Sequence, residues 1–215
     1  MRRVYFCNMN FSSDLLENAV NAFAQLPGIG KKTALRLVLH LIRKDEKEVQ
    51  HFSEAISALR REIRFCKRCH NISDKEECNI CTNRARKQEV ICVVENIRDV
   101  IAIESTRQFN GIFHVLGGVI SPLDGVGPEQ LQIDSLIERI QQEQTKEIIF
   151  ALNPNIQGDT TIYYIGKKLK DIPVTITTIA RGISFGGELE YADELTLAKS
   201  ISNRIPVEHY ISSIN

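Results

Sequence analysis

Four cysteines limit this chain more than any other feature. Cys66 and Cys69 form one Cys-x-x-Cys pair, and Cys78 and Cys81 form a second after eight intervening residues. A stretch of sixteen residues cannot build a hydrophobic core of its own. Two such pairs instead offer four soft ligands to one tetrahedral zinc, with no coordination position left open. That pattern implies a structural rather than a catalytic site, with one Zn²⁺ per chain. In a knot this small, metal binding worth on the order of 10 kcal/mol would supply most of the folding free energy. Cys66-Lys67-Arg68-Cys69-His70 also fits the c-type haem attachment pattern, but the second cysteine pair and the expected lack of export argue against it.

The knot divides the chain by charge. Residues 1–88 hold 17 Lys plus Arg against 10 Asp plus Glu, whereas residues 89–215 hold 10 against 17. The formal net charge of zero therefore hides a basic front and an acidic back. Even after four thiolates bind Zn²⁺ the front stays positive, which suits contact with a polyanion. At 215 residues there is room for one full core and a smaller module. After Arg2-Arg3 only four apolar residues follow, too few for a secretory segment, and no window approaches a membrane span. A cytoplasmic protein is expected, in which paired cysteines bind metal rather than form disulfides. Of the two remaining cysteines, Cys92 falls in the apolar run Val90-Ile91-Cys92-Val93-Val94, where a thiol acts as a small hydrophobe. Cys7 has no assignment.

Ser12 or Ser13 can cap a first helix carrying Leu15, Leu16, Ala19, Val20 and Phe23, with Asp14 and Glu17 at its positive end. The helix stops at Leu26-Pro27-Gly28-Ile29-Gly30, and a second follows from Lys31 to about Lys44. One of its faces holds Ala34, Leu37, Val38 and Leu41, and the other Lys32, Arg36, His40 and Arg43. A Pro-Gly-Ile-Gly hairpin opening a helix aims bare backbone N–H groups outward, and Lys31, Lys32 and Arg36 add positive charge beside them. A phosphate cradle follows from that combination. The plain alternative is a tight turn whose glycines only permit positive φ, and the adjacent charge favours the cradle. A Walker loop is excluded, because no glycine precedes Gly30 at the required distance and Lys32 follows Lys31. A third amphipathic helix over 47–65 carries Val49, Phe52, Ile56, Leu59 and Ile63. Its Arg60, Arg61 and Arg64 suit either phosphate contact or the helix C-terminus. Lys67, Arg68, Arg84, Arg86 and Lys87 read as a continuation of the basic surface.

From Glu89 onward, apolar runs alternate with amphipathic segments. Strands are expected at 89–95, 112–116, 147–153 and 173–180, and helices at 98–108, 128–144, 160–170 and 191–203. This order predicts a parallel α/β sheet. Its working loops would leave the carboxyl ends of the strands, at Glu95-Asn96, 117–127, 153–159 and 181–187. The fold class is thus α/β in several parts: a helical helix-hairpin-helix module, a four-cysteine knuckle, a parallel sheet, and a C-terminal helix and tail. The expected boundaries are 1–65, 66–88, 89–184 and 185–215.

A Glu ending the first strand with an acidic cluster ending the third is the pattern of the Toprim domain of topoisomerases, primases and some nucleases. Its third-strand motif is similar to Asp-Pro-Asp-Arg-Glu-Gly-Glu, and here the register reads Asn153-Pro154-Asn155-Ile156-Gln157-Gly158-Asp159. Three of four carboxylates have become amides, which are weak, neutral ligands for Mg²⁺. Glu95 and Asp159 are too little charge for a two-metal site. The rival reading is a Toprim-type nuclease or primase-like enzyme using those two acids.

Taken in order, the hairpin, the four-cysteine knuckle and the degenerate Toprim segment resemble the bacterial RecR family of recombination mediators over residues 12–204. Two stretches strengthen the likeness: Leu116-Gly117-Gly118-Val119-Ile120-Ser121-Pro122-Leu123-Asp124-Gly125-Val126-Gly127-Pro128, and Ala180-Arg181-Gly182-Ile183 with Gly187-Glu188-Leu189-Glu190-Tyr191-Ala192-Asp193-Glu194. Gln157 and Asp159 depart from the glutamates usual there, and the tail beyond Arg204 has no match. The resemblance implies a non-enzymatic DNA-repair factor that acts with RecO, and in some bacteria RecF, to load recombinase at single-strand gaps. It also implies self-association as a dimer or ring-like tetramer able to encircle DNA, and no membrane partner. Carried over residue by residue, Gly28, Gly30, Lys31, Lys32 and Arg36 would meet DNA. Cys66, Cys69, Cys78 and Cys81 would bind zinc. Glu95, Asn153, Asn155 and Asp159 would face partner proteins.

Overall fold

The computed structural model describes residues 11, 13–183, 186–204 and 206–207. Cys7, Ser12 and most of the tail beyond Arg204 lie outside them. The chain divides into two compact units, one ending at Ile63 and the other beginning at Arg64.

The first unit contains α1 (Asp14–Ala24), α2 (Lys31–Ile42) and α3 (Glu46–Glu62). Ser13 caps α1, its Oγ accepting from the Leu16 N–H. Val20, Ala34 and Val38 are buried, with Leu16, Phe23, Ile29 and Leu35 packed around them. Leu15 departs from the expected apolar set and is 83% exposed. The third helix shows the expected apolar spacing but buries none of its residues: Phe52, Ile56 and Leu59 stay exposed.

The second unit opens with the knuckle, built from a two-residue hairpin, β1 (Arg64–Phe65) antiparallel to β2 (Ile72–Ser73), and a single helical turn, α4 (Asn79–Thr82). A four-stranded, wholly parallel sheet follows, with strands β3 (Lys87–Val94), β4 (Gly111–Val115), β5 (Glu147–Ala151) and β6 (Thr175–Thr178) in the spatial order β4-β3-β5-β6. The continuous apolar run of β3 reflects burial on both faces. Ile91 and Val93 face one core with Ile112, Ile148 and Phe150. Cys92 and Val94 face the other with Phe113, Val115 and Ala151. On the Cys92 side the cover is α5 (Ile97–Thr106), through Val100 and Ile103. The opposite side is covered by α6 (Ile133–Gln142) and α7 (Ile156–Lys168), through Leu136, Ile140 and Ile165. The last helix, α8, spans Glu194–Ser202. Cys92 is only 2% exposed, and burial pushes its thiol up to about 12, as suits a thiol used for packing.

Three helix starts differ from expectation: α8 begins at Glu194 rather than 191, after a separate 3₁₀ turn over Leu189–Tyr191 and with Asp193 as its cap, and two others shift for equally clear reasons. α6 begins at Ile133 rather than 128, because Pro128 opens a separate 3₁₀ turn ending at Gln130 and Leu131 then runs extended into the core. α7 begins at Ile156 rather than 160, because Asn155 caps it, its Oδ1 accepting from the Gly158 N–H at 2.8 Å. Residues 156–159 are therefore a first helical turn, not a loop. Gly158 is obligatory there, since a Cβ would run into the Asn153 carbonyl.

Candidate metal centre and nucleic-acid interface

The four cysteines of the knuckle converge. Cys66, Cys69, Cys78 and Cys81 are each at most 5% exposed, and their sulfurs all lie within 4.8 Å of one another. A tetrahedron with Zn–S bonds of about 2.3 Å has S–S edges of about 3.8 Å. The Cys66–Cys81 and Cys69–Cys78 sulfurs stand 3.9 and 3.5 Å apart. These are far too long for disulfides and match the edges of a thiolate tetrahedron. The Cys78 N–H donates to Cys66 Sγ at 3.2 Å, steadying one ligand from behind. The residues present therefore fit a closed four-thiolate zinc centre.

Sequence reading missed how this centre is fastened to the sheet. Arg68, taken as basic surface, turns inward: Nε and Nη2 donate to the two Glu143 oxygens at 2.7 and 2.8 Å, and Nη1 to the Cys81 carbonyl at 2.9 Å and Gln88 Oε1 at 2.8 Å. Arg139, 5% exposed, donates from Nε to Glu143 and from Nη1 to the carbonyls of Phe113 and Arg68. The Val115 N–H donates to the Cys69 carbonyl at 2.9 Å. Arg86 is likewise internal, its Nη1 reaching Glu104 and the Gly111 carbonyl. Two of the five supposed surface cations are thus structural, while Lys67 forms only an exposed pair with Glu76. The partner of Arg68 lies 75 residues along the chain, so no local pattern could reveal it.

At the start of α2 the hairpin is a tight turn, closed by Ile29 N–H to the Leu26 carbonyl at 3.1 Å with Gly28 at φ +80°. Gly28 is thus explained by its own backbone. Gly30 is not. Its φ is −82°, it caps α2 without a side-chain bond, and a Cβ there would meet nothing within 4 Å. What glycine secures is bare backbone on the outer side. The first intrahelical bond runs from the Ala34 N–H to the Gly30 carbonyl, leaving the N–H groups of Lys31, Lys32 and Thr33 free of helical partners. The first turn of α2 has no acidic residue, and Lys31, Lys32 and Arg36 are exposed.

The carboxyl edge of the sheet brings Glu95 and Asn153 together, with Asn153 Nδ2 donating to Glu95 Oε2 at 2.8 Å. Asn155 is occupied in capping α7. Asp159 is bound by Arg181, with Nη2 to Oδ1 at 2.6 Å. That bond, with the Arg181 charge and the nearby Lys199, holds Asp159 below the ordinary carboxylate range although desolvation opposes it. Among the described residues, the four cysteines are the one cluster of three or more metal-ligating side chains. No helix among the described residues is long and apolar enough to cross a membrane.

Comparison with known proteins agrees with each part of this geometry. Residues 16–60 match a family model described as RecR, helix-hairpin-helix, and 63–83 one described as the RecR zinc finger domain with four cysteines. Residues 89–180 match a Toprim domain and 182–205 RecR, C-terminal. With the zinc-finger match, the four buried thiolates are a structural zinc centre. Among curated relatives, "Recombination protein RecR" of Cytophaga hutchinsonii is 58% identical over 197 residues, 91% of this chain and 96% of the relative. The same-named proteins of Amoebophilus asiaticus and Flavobacterium johnsoniae are each 56% identical, over 92% and 93% of this chain and 98% and 97% of their own length. At that identity over almost the whole length, with all four parts matched in order, the chain belongs to the RecR family of recombination proteins.

Proposed function

We propose that this protein is a non-enzymatic recombination mediator. It grips the DNA backbone as a clamp-like oligomer and, with RecO and where present RecF, helps load recombinase at single-strand gaps in the cytoplasm. The observation that carries the DNA reading is the entry to α2, where an uncapped helix start without acid, a glycine with no internal need to be one, and three exposed cations converge. Such a surface takes phosphate oxygens and does not read bases. The exposed apolar face of α3, with Phe52, Ile56 and Leu59, is material for self-association into a dimer or tetramer. Glu95, Asn153, Asn155 and Asp159 form the face offered to protein partners.

The rival, a Toprim nuclease or primase-like enzyme, would need Glu95 and Asp159 as metal ligands, and both are already engaged by other side chains. The test of DNA binding is Lys32→Glu with Arg36→Glu. Binding should weaken on all sequences, and the slope of log K against log salt should flatten by about 2, one for each lost phosphate contact. Unchanged affinity and slope would leave an adaptor without DNA contact. Mg²⁺-dependent nicking that Glu95→Gln abolishes would establish the enzyme instead.

A further inference from the structure

The two acids that survive at the Toprim edge differ in position but share one condition: each is met by a hydrogen-bond donor of the chain itself. Glu95, closing β3, receives the Asn153 amide at 2.8 Å. Asp159, in the first turn of α7, receives the Arg181 guanidinium at 2.6 Å, from the segment that follows β6. Arg181 is not a loose surface group. Its side chain is 23% exposed and lines a cleft of about 220 Å³ with Leu152, Pro154, Leu195 and Lys199. Lys199 also borders Asp159 from α8.

A Mg²⁺ site takes one or two free carboxylates plus waters in a strict octahedron. These residues do not fit it. One carboxylate faces the donor end of an amide and the other a fixed cation, so a divalent ion would have to displace a hydrogen bond in one place and a like charge in the other. We propose that Asn153 and Arg181 are the resident counter-groups of this face: they stand where a divalent cation would, fix both carboxylates in place, and make the face metal-blind. The substitution of the Toprim motif's acids by amides is then only half of the difference, and Arg181 is the other half. The charges of Glu95, Asp159, Arg181 and Lys199 cancel at neutral pH. The face is therefore a patterned neutral surface, and a cationic partner must win Asp159 from Arg181. Only the Toprim face is involved, so metal-blindness stands or falls separately from the DNA reading.

The test uses the zinc-loaded full chain and Mn²⁺ as the probe. Asn153→Asp replaces the amide donor by a second carboxylate against Glu95, the two sharing a proton that a divalent ion would displace, and Arg181→Gln frees Asp159. In a Mn²⁺ titration followed by amide line-broadening in the first turn of α7, the parent chain should show no saturable binding in the millimolar range. The double variant should bind at least roughly tenfold more tightly than either single variant, because carboxylates are added as ligands. Arg181→Lys, which keeps the charge, should behave as the parent. Mn²⁺ binding by the parent that Glu95→Gln removes would overturn the proposal. So would a folded double variant that binds no better than the parent. Should the double variant fold poorly, Arg181→Gln alone decides: the Asp159 carboxyl, followed by NMR, must rise toward the ordinary range, and an unmoved Asp159 overturns the assignment.

Discussion

Glu143 serves two guanidinium groups, and removing it should damage the second unit more than removing either arginine contact alone. Glu143→Ala leaves Arg68 and Arg139 as like charges in a site where their side chains are 22% and 5% exposed. One-sided removal of a buried charge partner costs about 3–5 kcal/mol. Arg68 keeps the Cys81 and Gln88 acceptors and Arg139 the Phe113 carbonyl, so the low end, about 3 kcal/mol, applies. Arg68→Ala strips only one arm and leaves Glu143 paired with Arg139, for about 2 kcal/mol. In the double variant, loss of Arg68 relieves the repulsion created by loss of Glu143, so the effects should fall short of additivity by about 1–2 kcal/mol. Urea unfolding of the zinc-loaded protein measures all three. Zinc transfer to a chromogenic chelator should quicken in parallel, because Arg68 holds the Cys81 carbonyl. A cost below about 1 kcal/mol for Glu143→Ala, or strict additivity, refutes the reasoning. Burial raises the Glu143 carboxyl, but the Arg68 bond and the Arg139 charge outweigh it and hold it below its ordinary value. The stabilisation is therefore complete above the ordinary carboxylate range and is lost as pH falls through the depressed value, an acid limb that Glu143→Ala should make shallower.

Other outcomes follow from the same structure. Elemental analysis should find one zinc per chain, and chelation should abolish protection of the Val115 amide, whose acceptor is Cys69. His114 is fully buried, its Nε2 against the Gln132 carbonyl, and burial lowers it from 6.5 to about 3. The native state resists a proton that the unfolded chain accepts below 6.5, so lowering the pH from there by about 1.5 units should cost about 2 kcal/mol. That slope should shrink in His114→Gln to the share of His70, which burial and the Arg139 charge also lower, and an undiminished slope would place the titration elsewhere. Gly158→Ala, with its Cβ driven against the Asn153 carbonyl, should cost about 1–3 kcal/mol in thermal or urea unfolding, and a change within about 0.5 kcal/mol would mean that this turn yields. Gly30→Ser should leave stability unchanged or raise it by a few tenths of a kcal/mol, since serine caps well, yet weaken DNA binding; unaltered binding would remove Gly30 from the interface.

What could be read from the chain beforehand was whatever is written locally. The cysteine spacing, the Pro-Gly-Ile-Gly hairpin and the two-sided apolar strands depend on residues within a few positions of one another. The cap at Asn155 is also written locally, as an Asn directly preceding a helical run, but the same residue stands in the Toprim acid register, which hides the capping signal. Arg68 and Arg86 were not legible, because a cation's role depends on which acid folding brings to it, and Glu143 and Glu104 lie 75 and 18 residues away. The same holds for Arg181, whose meaning comes from Asp159 in a different crossover. Leu15 and the face of α3 show the converse: helical spacing establishes that a face exists, not that anything in the same unit covers it.

The position of β4 gives the knuckle a second duty. β4 is an outermost strand of the sheet, so one side of its backbone has no neighbouring strand. On it, the Gly111 carbonyl is taken by Arg86, the Phe113 carbonyl by Arg139, and the Val115 N–H by Cys69. An uncovered edge of Ile112-Phe113-His114-Val115 would be a template for strand addition between molecules. The Cys69 carbonyl of the zinc knuckle, with Arg86 and with Arg139 of α6, thus occupies this edge, and metal that orders the knuckle should also guard the chain against self-templated aggregation. Chelated protein should accordingly scatter light and bind thioflavin T at concentrations where the zinc-loaded form stays clear; a clear chelated sample would show that the arginines guard the edge unaided.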